Sequence, residues 1–83
     1  MPEVRNSSTR PLAEMLPGTS ARIISVNAPD TQTTRLEGLG ICEGRIVRIV
    51  KRGDPWIVQV YGARIGLSPW FMDHIDVLPV EAD

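Results

Sequence analysis

Residues 35–50 read RLEGLGICEGRIVRIV, and the reading of this stretch decides the fold. Gly38, Gly40 and Gly44 stand close together, ahead of the aliphatics Ile46, Val47, Ile49 and Val50. Glycines this dense either cradle a phosphate or turn the chain from a helix into a strand. A dinucleotide fingerprint places G-x-G-x-x-G after a strand and at the head of a helix. Here the spacing is G-x-G-x-x-x-G, with the helical pattern before it and the strand pattern after it. A Walker-type loop ends in G-K-[ST], whereas Gly44 is followed by Arg45 and Ile46. No helix N-terminus follows that could hold an anion. The glycines therefore shape the chain: Gly40 is the left-handed residue that closes a helix, and Gly44 ends the turn into a strand. Gly38 costs about 1 kcal/mol relative to alanine inside a last helical turn, which points to close approach of a neighbouring strand there.

Working outward, NAPDTQTTRLEGLG precedes the glycines as a short helix. Asn27 or Ala28 caps it, Pro29 fits the first helical position, and Asp30 meets the helix dipole. Leu36 and Leu39 are three apart and share a face. Upstream, Thr19–Val26 alternates as a strand, and PLAEML (11–16) reads as a short N-terminal helix stopped by Pro17-Gly18. Downstream, Val47 and Ile49 alternate with Arg48 as a half-buried strand, and Gly53-Asp54-Pro55 is a turn. In WIVQVYG, Trp56, Val58 and Val60 take one face, and Ile57, Gln59 and Tyr61 the other. ARIGLS follows as a strand with Ile65 and Leu67 to one side. SPWFMD (68–73) is long enough for a single 3₁₀ turn begun at Pro69. HIDVLPV ends the fold as a strand carrying Ile75 and Val77. About five short strands with one helix after the first predict a mainly β domain, a small, partly open barrel. The expected organisation is a flexible tail over 1–10, one domain over 11–80 and a short tail over 81–83.

Composition narrows the function. The chain has 83 residues, 42% of them hydrophobic, so one small core is expected and disorder is not. Nine Lys plus Arg against ten Asp plus Glu give a net charge of −1, which predicts neither a nucleic-acid nor an anionic-membrane binder. A single cysteine, Cys42, forbids an internal disulfide and fits a reducing compartment. The first residues carry no apolar segment of signal-peptide type, so Asn6-Ser7-Ser8 is not read as a glycosylation site, and a cytoplasmic location is expected.

The chemical candidates are few. Cys42 and His74 are the only residues of their types. With Asp73 and Asp76, His74 forms a small oxygen-and-nitrogen cluster that could hold a divalent ion with water completing the shell. A set such as Cys42, His74 and Asp76 is too sparse for a tight site in one chain, but symmetric pairing in a homo-oligomer would double it. Cys42 lacks an evident base or orienting group, so the chain is read as no enzyme. The basic residues Arg45, Arg48, Lys51, Arg52 and Arg64 have only Tyr61 near them as a stacking group, which does not make an RNA surface. The four aromatics, Trp56, Tyr61, Trp70 and Phe71, lie in the second half. Alternation assigns Trp56 to the core, while adjacent Trp70 and Phe71 cannot both point inward easily. Exposed aromatics on a small barrel anchor partners. Tyr61, Trp70 and Phe71, with Arg48 and Arg64 on the rim, are the candidate partner-binding residues.

The order of these signals resembles the FeoA family. PLAEMLPGTSARIISV, then RLEGLGICEG, then IVRIVKRGDPWIVQVYGARIGLS, then HIDVLPV follow that family's pattern over residues 11–80. Two positions depart from it: Cys42-Glu43 where a proline is usual before Gly44, and Gly66 where alanine is common. The resemblance implies an SH3-like β-barrel with the helix inserted after the first strand, a fold also found at the C-terminus of DtxR-type metal-dependent repressors. It implies a non-catalytic cytosolic accessory protein of ferrous iron uptake that binds and modulates the membrane transporter FeoB, whose cytosolic part binds GTP. No cofactor is required on this reading, and no membrane insertion. The alternative is a module that senses or carries a divalent transition metal, Fe²⁺, Mn²⁺ or Zn²⁺, weakly bound.

Overall fold

A computed structural model describes residues 9–80; of the expected tails over 1–10 and 81–83, residues 1–8 and 81–83 lie outside the described residues, and Arg10 belongs to the first strand. In chain order the elements are β1 (Arg10–Pro11), a 3₁₀ turn (Leu12–Glu14), β2 (Ser20–Val26), α1 (Asp30–Gly38), β3 (Ile46–Lys51), β4 (Trp56–Val60), β5 (Ala63–Leu67), α2 (Pro69–His74) and β6 (Ile75–Val80). The strands form one antiparallel sheet in the order β1-β6-β2-β3-β4-β5. β1 and β5 are its two edges, so the sheet curls without closing.

Six strands replace the expected five because β1, two residues long, pairs Arg10 with Val77 and Pro11 with Asp76. The helix inserted after the first long strand is α1, as expected, but Pro29 occupies its cap position rather than its first turn. The N-terminal helix contracts to a single 3₁₀ turn, since Pro11 keeps an extended ψ of 145° and Met15 leaves the helix at once. At 68–73 the correction runs the other way. An α-helix replaces the expected 3₁₀ turn, with Ser68 capping the Phe71 N–H, Pro69 in the first turn and Met72 fully buried beneath it.

The core collects one face of every long strand. Ala21 and Ile23 come from β2, Val47 and Ile49 from β3, Trp56, Val58 and Val60 from β4, and Ile75 and Val77 from β6. Leu12 and Met15 close one end from the 3₁₀ turn, and Leu36 and Ile41 enter from α1 and its exit. Arg52 lies over the Trp56 ring at 5.1 Å and shields its edge from water.

The glycine-rich stretch performs the turn that the sequence predicts. The Gly40 N–H donates to the Glu37 carbonyl and the Ile41 N–H to the Leu36 carbonyl, both at 2.9 Å, with Gly40 at φ +96°. That pair of bonds is a Schellman closure, and Leu36 and Ile41 make its apolar contact inside the core. The Gly44 N–H then donates to the Ile23 carbonyl, and the Ile23 N–H to the Arg45 carbonyl, each at 2.8 Å. These bonds fasten the turn to β2 before β3 begins. The close approach expected at Gly38 falls instead at Gly40, where an added Cβ would meet Val60 Cγ1 at 3.1 Å; at Gly38 it would meet nothing within 4 Å.

Candidate functional site

α1 contributes one buried side chain, Leu36, and leaves Leu39 half exposed at 50%. The two leucines were expected on one face. They do flank a common space, which has the C-terminal end of α1 on one side and the β5–α2 junction on the other. The result is a groove of ≈ 370 Å³ lined by Leu36, Leu39, Leu67 and Phe71, with Gln32, Arg35 and Ser68 at its polar margin. Its volume lies at the small end of ligand or side-chain pockets.

α2 builds the aromatic wall. Phe71 packs partly into the core, and Trp70 stands beside it, rings edge to face at 5.3 Å, with 46% of its surface exposed. One turn on, the His74 ring stacks on Trp70 at 3.9 Å, 13° from parallel. His74 Nδ1 lies 2.7 Å from the Trp70 carbonyl oxygen, which can only accept, so Nδ1 carries the proton that it donates. The stack and the hydrogen bond hold the exposed indole in one orientation.

The other predicted site residues lie elsewhere. Tyr61 sits in the β4–β5 turn, at the opposite end of β5 from Trp70, with 84% of its surface exposed. The Arg45 guanidinium lies over its ring at 4.2 Å and donates from Nη2 to Cys42 Sγ at 3.5 Å; Arg45 Nη1 is buried with no hydrogen-bond partner. Arg48 and Arg64 pair with the two sides of Gln59, on the sheet face away from the core. The five candidate residues thus divide into an α2 cluster and a sheet-face cluster. Sequence reasoning missed Leu39 and the α1 margin of the groove. The available signal was an apolar residue beside Gly40 that the core pattern did not require.

The metal candidates do not assemble into one set. His74 ends α2 rather than opening the strand HIDVLPV as expected, so it and Asp76 do not stand two apart on one strand face. Asp76 Oδ2 accepts from Asn27 Nδ2 at 3.1 Å and from Ser25 Oγ at 3.4 Å. Cys42 lies on the turn after α1 as a free, half-buried thiol. Among the described residues no three His, Cys, Asp or Glu side chains converge where they could hold a metal ion. The described residues of one chain therefore do not fit a tightly bound metal. Among the described residues no helix is long and apolar enough to cross a membrane.

Comparison with known proteins matches the FeoA domain family model over residues 10–79. No curated protein sequence matches the chain. Among solved structures, the FeoA protein of Stenotrophomonas maltophilia, an SH3 domain protein complexed with zinc, is 34% identical. The match covers 80% of this chain and 86% of that one, with a TM-score of 0.69. FeoA from Chlorobium tepidum is 27% identical over 87% of this chain and 71% of its own, with a TM-score of 0.80. IdeR from T. acidophilum is 22% identical with a TM-score of 0.80. It matches 88% of this chain but 35% of itself, so the likeness is to one portion of that protein's fold. The fold is SH3-like, with its barrel open between β1 and β5.

Proposed function

Because the chain belongs to the FeoA family, we propose that it is a non-catalytic cytoplasmic accessory protein of ferrous iron uptake, docking on the cytosolic part of a FeoB-type transporter. The observation that carries this reading is the groove between α1 and α2, with Leu39 exposed at its lip and Trp70 exposed beside the lining residue Phe71. A pre-formed groove with exposed large apolar residues at and beside it is what a docking surface presents. The helix stop at Gly40 and the cap at Ser68 fix both lips to the rigid sheet, so little ordering is needed on binding. The test is the affinity of the isolated cytosolic part of FeoB for the protein and for the Leu39→Ser/Trp70→Ala variant. Both positions are exposed, so the variant keeps its fold, checked by its thermal melt. Loss of about tenfold or more in affinity supports the site; undiminished affinity in a folded variant contradicts it.

A second reading is favoured by the zinc-complexed Stenotrophomonas relative. On it, the chain binds a divalent metal as an oligomer, with Nε2 of His74, the ring nitrogen not bonded to the Trp70 carbonyl, as one donor and a second copy completing the shell. Titration calorimetry with zinc, manganese and anaerobic ferrous iron decides it. Saturable heat lost in His74→Gln supports the reading, and no saturable heat removes it.

A further inference from the structure

On the face of the sheet turned away from the core, the outward positions of β2 to β5 carry charge of one sign. Ala21 pairs with Val47, and both are buried, so their neighbours point outward on the opposite face. Across that face Ser20, Arg48, Gln59 and Arg64 lie in one row on β2, β3, β4 and β5. The adjoining row places Arg22 beside Ile46. Ile46 is 44% exposed and shares a shallow depression with Tyr61, Arg45 and Glu43. Among the described residues no carboxylate stands on the outward positions of β2 to β5. Each lies on a helix, in a turn or on β6; Glu43 on the α1–β3 turn and Asp76 on β6, beside Ser25, border the face. The outward positions of β2 to β5 thus carry Arg22, Arg48 and Arg64 with no carboxylate among them.

Arranged this way, the charges cost stability. Arg48 and Arg64 are about 10 Å apart, two strand spacings, close enough to repel at moderate salt. Tyr61 holds φ +53° in a turn position that favours asparagine or glycine, yet it presents an exposed aromatic ring with Arg45 over one face. Exposed Ile46 and Tyr61, together with Arg48, Arg64 and Arg22, which donates to the Gly44 carbonyl at 3.3 Å, make an amphipathic patch.

We propose that this face of β2–β5 docks an acidic, partly apolar segment of a partner protein, its carboxylates meeting Arg22, Arg48 and Arg64 and its apolar residues covering Ile46 and Tyr61. Charge complementarity selects the occupant, and the apolar residues favour a protein segment over a nucleic acid, whose bases would find one aromatic to stack on. The surface is separate from the groove, and the proposal stands whether or not the groove binds FeoB.

The probe is a short fluorescent peptide of alternating glutamate and leucine, followed by anisotropy and by amide shifts of labelled protein. Saturable binding that weakens with salt, with shifts on β3, β4 and β5, is expected. Arg48→Glu/Arg64→Glu should weaken it by about tenfold or more, Arg48→Gln/Arg64→Gln by less, and Trp70→Ala not at all. The glutamine pair guards against misfolding of the reversal variant. Absence of saturable binding, indifference to both double variants, or tighter binding of single-stranded DNA or phosphatidylglycerol vesicles than of the peptide would each overturn the proposal.

Discussion

Gly40 is a position where a side chain costs the fold on two counts. Its φ of +96° and the 3.1 Å gap to Val60 Cγ1 penalise a side chain twice. Gly40→Ala should cost about 1–2 kcal/mol in urea unfolding, from left-handed backbone strain and crowding of β4. Two residues earlier the outcome reverses. Gly38 is helical with free space around it, so Gly38→Ala should stabilise by about 0.5–1 kcal/mol in the same assay. The spacing of RLEGLG made the helix stop readable, because a left-handed glycine has a local signature. Which glycine meets the neighbouring strand was not readable, because that depends on Val60, twenty residues further on. The role of Arg45 was hidden for the same reason: its partner, Tyr61, lies on another turn.

Elements of regular period were legible from their own residues. In WIVQV the alternation assigned Trp56, Val58 and Val60 to the core, and they are buried. The two short elements were misjudged, each on physical grounds. β1 is too short to show a period, and it exists because β6 offers Val77 and Asp76 an open edge. α2 is too short for a helix to persist by itself, and it is held by burial of Met72 and by the Ser68 cap. The cap signal, serine before proline, was present in the sequence but outweighed by the shortness of the segment. Ser68→Ala removes the acceptor for the Phe71 N–H and should lower stability by about 1 kcal/mol. It should also loosen Trp70, which is read from a red shift and reduced anisotropy of tryptophan emission.

At the scale of the molecule, the groove exists because α1 and α2, some thirty residues apart, are brought to one end of the sheet. Strand order brings them there, and strand order has no local signature, so the candidate residues were found without their arrangement. Sequence grouped Tyr61 with Trp70, and β5 holds them at opposite ends. Leu36 is the one side chain by which α1 enters the core, so it governs the groove as well as the fold. Leu36→Ala should cost about 2–4 kcal/mol on unfolding and release the C-terminal end of α1, seen as faster amide exchange at Leu39 and Ile41.

The central claim is that the α1–α2 groove is the docking surface for the transporter. Its most direct test is an NMR titration of isotope-labelled protein with the cytosolic part of FeoB. The account predicts saturable shifts gathered on Leu39, Leu67, Trp70 and Phe71, with the outer face of β3 and β4 unmoved. Shifts gathered on that outer face instead, or no shifts at saturating partner, would contradict it.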